Sequence, residues 1–287
     1  MNRNKRYNKV NMILRTIILG MTILASNACF AQQQQQQRQP LTEQLLKKYM
    51  DLPEKQRIAE NKRFLEMYKD VRVADVRDAM DWFGYMNYGS VDPGVRPLFR
   101  TLATGIARTA RYLPYVGPNV LERDKEYTRW QGLFYRDICT YPWQDVIEDG
   151  DFMAIDVSGV NVGLLGSANT LQHKLKGLRG YVINGSGVRD TDECVLQKIP
   201  IWSHFIGQAM VQGRIQFEAT QVPVNIGGVT VFPGDIIVAD GDGVIVVPRG
   251  VAETVAKHAL FMLKDDMDGR KSLYQRLGWE LDQTVIR

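Results

Sequence analysis

The segment "DFMAIDVSGVNVGLLGSANTLQHKLKGLRGYVINGSGVRDTDECVLQKIPIWSHF", residues 151–205, decides the fold. Its opening, "DFMAIDVSG", is an apolar run that ends in glycine, the pattern of a buried strand. "LGSANTLQHKLKG" then reads as a helix whose first turn follows Gly166 and whose stop is Gly177. "RGYVING" is a second strand, "DTDECVLQKI" a short helix and "IPIWSHF" a third strand. Strands alternating with helical crossovers predict an α/β layer with parallel neighbours.

In such a layer ligands gather outside the carboxyl ends of the parallel strands. One such end leads to Gly166, Ser167, Ala168 and Asn169, the other to Gly185–Asp190. If the two strands are neighbours, the two loops face each other. A helix start offers free backbone N–H groups and the positive end of a dipole, which suit a carboxylate. Arg189 offers a planar, permanently charged donor fork for a carboxylate or an enolate oxygen. Asp190 offers a hard oxygen to a magnesium-type ion, which keeps several waters and needs few protein ligands. Together they suit a 2-oxo acid, with the metal and Arg189 polarising the keto oxygen and holding the enolate formed on C–C cleavage. The competing reading is a surface ion pair, with Asp190 or Thr191 capping the "TDECVL" helix.

The flanks extend the pattern. "VPVNIGGVTVFPGDIIVADGDGVIVVP", 222–248, is short strands broken by Gly-Gly, Pro-Gly-Asp and Gly-Asp-Gly, which predicts a β-meander or the wall of a small barrel. A closing helix is expected from about Val251 to Asp266, then a mixed tail. On the other side, "VRVADVRDAMDWFG" predicts a short helix ending at Gly84, and "LATGIARTARYL" a strand. Residues 112–148 are rich in aromatics, among them Tyr115, Trp130, Tyr135, Tyr141 and Trp143; they are either core or interface packing, or a lid facing the substrate. Thr42 to Lys69 turns helical, with Leu45, Leu46, Tyr49 and Met50 on one stripe and Ile58, Leu65 and Tyr68 on a second helix after Pro53. The arm is expected to pack on the body or on a neighbouring subunit.

The first 31 residues carry Arg3, Lys5, Arg6, Lys9 and Arg15 and no acid, then an apolar run and "SNACFA". This is the layout of a secretory signal cleaved after Ala31, and the apolar run is too short to span a bilayer. Lipoprotein anchoring at Cys29 is the weaker reading, since no Leu stands three residues before it. The 36 basic and 32 acidic residues of the chain fall to 31 and 32 once the five basic residues of 1–31 are set aside. No basic patch remains to argue for nucleic acid. The expected organisation is a signal (1–31), a Gln-rich linker (32–41), a helical arm (42–70), the main domain (71–266) and a tail (267–287). The product would be periplasmic or secreted. Cys139 and Cys194 either pair or stay as buried thiols. With only His173, His204 and His258 and no CxxC, a His-based metal or triad site has little to build on.

"VADVRDAMDWFG", "LGSANTLQHKLKGLRGYVINGSGVRDTDE" and the 222–248 run together resemble the RraA-like family over roughly Val71 to Ala259. That family includes the 4-hydroxy-4-methyl-2-oxoglutarate aldolases and an inhibitor of RNase E, and has carried a mistaken label as a methyltransferase. The resemblance implies a layered α/β/α swivelling-type domain with a β-rich C-terminal part, assembled as a homotrimer or hexamer. It implies a site between subunits in which Arg189 contacts substrate oxygens, Asp190 holds Mg2+ or Mn2+, and the amides of Gly166 to Asn169 receive a pyruvyl carboxylate. Ser167 stands where the family's aldolases usually carry an acid that positions a proton-moving water. The stretch from Gly177 to Arg189 is one residue longer than usual, and the aromatic segment is larger. The function so implied is an exported, metal-dependent aldolase-type lyase; the alternative is a non-catalytic oligomeric binding or regulatory protein that has lost the proton relay. An exported chain would not meet a cytoplasmic RNase E, and no glycine-rich nucleotide loop supports methyl transfer.

Of the remaining polar residues, Asp240 and Asp242 read as turn residues, or as support behind the site or at a trimer contact. His173 reads as a surface or interface histidine. His204 is placed to approach the site from the third strand. Asp192 and Glu193 read as first-turn acids favoured by the helix dipole, or as partners of the metal's waters.

Overall fold

The structure, a computed structural model, describes residues 48–117 and 127–286. The expected signal, the Gln-rich linker, the start of the helical arm with Leu45 and Leu46, and part of the aromatic segment lie outside the described residues.

Helix α1 (Glu54–Tyr68) and helix α2 (Val73–Trp82) precede a two-residue strand, β1 (Arg96–Pro97), and the long strand β2 (Ala103–Pro114). Helix α3 (Tyr127–Asp137) and a 3-10 turn over Pro142–Val146 lead into the run that decides the fold: β3 (Asp151–Leu165), α4 (Ser167–Leu175), β4 (Gly180–Val188), α5 (Thr191–Leu196) and β5 (Ile201–Phe205). Strands β6 (Ile215–Thr220), β7 (Val224–Ile226), β8 (Val229–Val231), β9 (Ile236–Ala239) and β10 (Val244–Val247) follow, and α6 (Ala252–Leu277) closes the chain. The main sheet has the order β1-β5-β4-β3-β2-β9-β10, with β6 also on β2. β2, β3, β4 and β5 are mutually parallel neighbours, so the β–α–β–α–β expectation holds, with Ala154 beside Val182 and Val182 beside Trp202.

The parallel strands are apolar on both sides because both faces are covered. One face carries Ile155, Leu165, Tyr181, Ile183 and Val188 under α3 and the 3-10 turn; the other carries Phe152, Ala154, Val182 and Trp202 under the β7–β8 hairpin. The aromatic segment, where described, is core rather than lid: Phe134, Cys139 and Trp143 are fully buried. Trp143 Nε1 donates to Tyr112 Oη (2.7 Å), which donates to the Thr140 carbonyl (2.9 Å). Truncating a buried Trp to Ala at such a place costs about 3–5 kcal/mol. A third apolar cluster joins α1, α2 and α6 to β9 and β10 through Phe64, Tyr68, Met80 and Val255. Thus α1 packs on the body, and Tyr68 Oη donates to the Ala252 carbonyl (2.7 Å).

Two expectations change. The C-terminal strands do not form one separate wall: β7–β8 is an isolated hairpin turned by Gly227–Gly228, while β9 and β10 extend the main sheet antiparallel beyond β2. The closing helix does not stop at Asp266. Its last turns run on to Leu277, joined by the Arg270–Asp266 pair, and end where Gly278 takes the left-handed conformation at φ 67°. Residues past 266 bury little, so no apolar stripe announced them. Among the described residues, no helix is long and apolar enough to cross a membrane.

Candidate active site

The two loops singled out by sequence do meet. Leu165 and Val188 are register partners at the carboxyl ends of β3 and β4, and Arg189 N–H donates to the Leu165 carbonyl (2.9 Å). α4 begins directly after Gly166, which has no side chain to cap it. Its first-turn amides therefore have no carbonyl partner within the helix. The Asp190 carboxylate fills part of that role: Oδ2 accepts from Ser167 N–H at 3.3 Å. Gly166 makes this approach possible, since a Cβ there would lie 2.5 Å from Asp190 Oδ2. Asp190 is left-handed (φ 56°, ψ 43°), a conformation that costs an L-residue about 1 kcal/mol. The kink ends β4, turns the carboxylate back toward α4 and starts α5, whose first turn carries Asp192 and Glu193 as expected.

Arg189 Nε lies 3.9 Å from Asp190 Oδ1, with the side chains 33% and 43% exposed. Both groups are thus open to a ligand while touching each other. Among the described residues no group of three or more His, Cys, Asp and Glu is arranged to hold a metal ion. The donors on hand are a single hard carboxylate, half open to water, beside an arginine. That set fits an Mg2+-type ion, which keeps most of its waters, and does not fit zinc.

Other candidates fall elsewhere. His173 is buried, not on the surface: Nδ1 bonds Tyr181 Oη (2.7 Å), the ring lies 5.0 Å from that of Trp143, and Nε2 has no partner. Burial, with Lys176 adding to it, pushes its pKa down to about 4. The helical period left its face ambiguous because α4 is itself covered by the aromatic segment. His204 pairs with Asp92 (3.4 Å) rather than with Arg189 or Asp190. Asp240 is a turn residue, accepting from Asp242 N–H (2.8 Å), and it also caps α2 by accepting from Val73 N–H (2.9 Å). Cys139 and Cys194 are both free and buried, so the paired reading fails. Burial pushes the Cys139 thiol up to about 12 and raises that of Cys194.

A cavity of about 810 Å3 opens at the opposite end of the sheet, near Gly180 and Pro200, with Lys62, Lys174, Arg179 and Lys198 on its rim. Lys174 Nζ donates to the Gln197 (3.0 Å) and Lys198 (3.3 Å) carbonyls at the end of α5, and Arg179 pairs with Asp149 (3.2 Å). Lys174 and Arg179 are thus engaged by a helix end and an ion pair, and the cavity opens at the amino ends of the strands, away from the carboxyl ends that carry Arg189 and Asp190.

Sequence reasoning missed two elements around Arg189. One is Gly163 on β3, whose missing Cβ lets the Arg189 stem lie against it. The other is the strap after β5, where Gly207 N–H donates to the Val188 carbonyl (2.9 Å) and Ala209 accepts from Gly163 N–H (2.7 Å). A glycine inside a strand signals close approach of another group, but the sequence ended this strand at Gly159 whereas β3 runs on to Leu165, so Gly163 fell outside the expected strand.

A curled mixed α/β sheet with its candidate site at the carboxyl ends of parallel strands defines the class. Residues 73–246 match the family model described as RraA-like, Aldolase/RraA. The chain belongs to that family. A relative from Halalkalibacterium halodurans, provisionally named a 4-hydroxy-4-methyl-2-oxoglutarate aldolase, is 33% identical over 123 residues, 41% of this chain and 55% of that one. Of this and three further curated relatives the chain spans between 28% and 58% of their own lengths. Among solved structures, an uncharacterized protein from Pseudomonas syringae pv. tomato is 26% identical with a TM-score of 0.59, covering 78% of this chain and 96% of that one. Streptomyces coelicolor RraAS2, described as an unusual member of the RNase ES inhibitor RraA protein family, is 25% identical with a TM-score of 0.57, covering 72% and 96%.

Proposed function

We propose that this protein is an exported, divalent-metal-dependent lyase of the aldolase type. It cleaves a C–C bond in a 2-oxo acid or a related hydroxy-carbonyl compound. What supports the reading is the meeting of the α4 amino end with Arg189–Asp190, held by the Ser167–Asp190 bond at 3.3 Å, in a chain of the Aldolase/RraA family. The amides of Gly166 to Asn169, chiefly those of Ala168 and Asn169, receive the carboxylate of the oxo acid. Arg189 directs its donor fork at the keto oxygen and steadies the negative charge that gathers there as the bond breaks. Asp190 is the residue that would hold Mg2+ or Mn2+. When bound, that ion supplies Lewis-acid polarisation of the same oxygen. The protein is read as periplasmic or secreted, as a homotrimer or hexamer, and as having no nucleic-acid partner.

Ser167 favours a second reading. A hydroxyl in place of the acid lacks the acid's power to move a proton, so the chain would serve as a non-catalytic oligomeric binding protein. One experiment separates the two. Pyruvate release from 4-hydroxy-2-oxo acids is followed with Mg2+ or Mn2+, after chelation, and in Asp190→Ala. The lyase reading expects release that chelation and the substitution both abolish; release indifferent to both refutes it. Magnesium binding that depends on Asp190, with none of these acids cleaved, favours the binding protein. A secreted chain whose mass begins at Gln32 would establish export.

A further inference from the structure

We propose that Gly163 is the positioning residue for the Arg189 guanidinium, the group assigned above to the substrate's oxygens; the inference rests on that reading. A Cβ on Gly163 would lie 2.8 Å from Arg189 Cδ and 2.9 Å from both Cβ and Cγ. The whole stem therefore lies in the trough that the bare Cα leaves. The stem cannot simply swing aside. Its Cβ is fixed to a backbone whose N–H is bonded to Leu165 (2.9 Å) and whose next residue is locked left-handed at φ 56°.

Gly163 cannot retreat either. Its own N–H is bonded to Ala209 of the strap (2.7 Å), and the strap is tied to Val188, the residue before Arg189, through Gly207 (2.9 Å). A side chain on Gly207 would collide with the Val162 backbone and with Ser186 Oγ, so the strap sits flush on both strands. β3, β4 and the strap thus form a closed bed. The bed leaves Nε 3.9 Å from Asp190 Oδ1 before any ligand arrives. An arginine held this way meets an anion already oriented, whereas a free one must first be immobilised. Gly163 is not left-handed, so alanine is permitted by the backbone and the effect of Gly163→Ala comes from its methyl group.

The test is a double-mutant cycle on the full chain with Gly163→Ala, Arg189→Gly and the pair. Thermal stability and binding of oxalate in the presence of Mg2+ are measured for each. Gly163→Ala is expected to lower the melting temperature and to weaken oxalate at least tenfold when Arg189 is present. It should do little to either in the Arg189→Gly background, where the Cβ that would lie 2.9 Å away is gone with the rest of the stem. A Gly163→Ala chain that fails to fold while the double variant folds supports the same coupling. Equal losses in the two backgrounds overturn the proposal, because a merely structural glycine would act without regard to Arg189. If wild type binds no oxalate, the lyase reading fails, and the positioning claim is decided by phenylglyoxal modification of Arg189, read by peptide mass. A severalfold faster rate in Gly163→Ala supports it and an unchanged rate refutes it.

Discussion

Replacing His173 by glutamine should change how stability depends on pH. The imidazole is 1% exposed, and burial pushes its pKa from 6.5 down to about 4. The folded protein thus keeps the ring neutral where the unfolded chain takes up a proton. A depressed histidine contributes a penalty on acidification: stability is lost as pH falls from about 6.5 toward 4. The full shift is worth about 3 kcal/mol at 1.36 kcal/mol per unit, and about 2 kcal/mol of it has gone by pH 5. Glutamine keeps a polar atom for Tyr181 Oη, which bonds Nδ1 at 2.7 Å, but it does not titrate. Urea unfolding of both proteins at pH 7.5 and pH 5.0 isolates the effect, since every other titrating group is common to the two. Glutamine is expected to cost stability at pH 7.5 and to regain about 2 kcal/mol relative to wild type at pH 5.0. If the two stabilities run parallel across that range, His173 is not held neutral and its burial as described is wrong.

Asp235 should behave with the opposite sign. Burial pushes its pKa up to about 7 although Phe232 and Arg249 N–H groups both donate to it, so wild type loses stability as pH rises from about 4 to 7; Asp235→Asn removes that slope in denaturant titrations. The two thiols, both buried and shifted upward, should react with a thiol reagent at pH 8 only after denaturant is added. Gly278→Ala places a methyl at φ 67° where α6 ends and should cost about 1 kcal/mol by thermal unfolding.

The heart of the fold was legible because each of its elements carries its own local signal. The apolar runs of β3, β4 and β5 and the stop at Gly177 are readable one at a time, and the parallel rule then sets Gly166–Asn169 against Arg189–Asp190. What was not legible depends on distant partners. β9 and β10 read as a local meander because nothing in their alternation says that β2 will accept β9 along Ala103–Ile106. His173 looked exposed because its cover, Trp143, arrives from a segment 30 residues earlier whose path has no periodic signature. The last turns of α6 rest on ion pairs and a glycine stop, not on a buried stripe.

The outer strands of the main sheet have a consequence for association. At one end β1 is two residues long and includes Pro97, which has no N–H to give. At the other, β10 is already bonded on its outer side, by Val91 N–H to the Val244 carbonyl (3.1 Å) and by Val246 N–H to the Gly89 carbonyl (2.8 Å). β2, whose edge would otherwise be half open, is filled by β9 along one half and by β6 along the other. Among the described residues, the two ends of the main sheet thus offer a second chain little free ladder to extend, which guards them against edge-to-edge aggregation. Joining two copies by extending that sheet at its ends is therefore disfavoured, which leaves exposed side chains as the means of contact there.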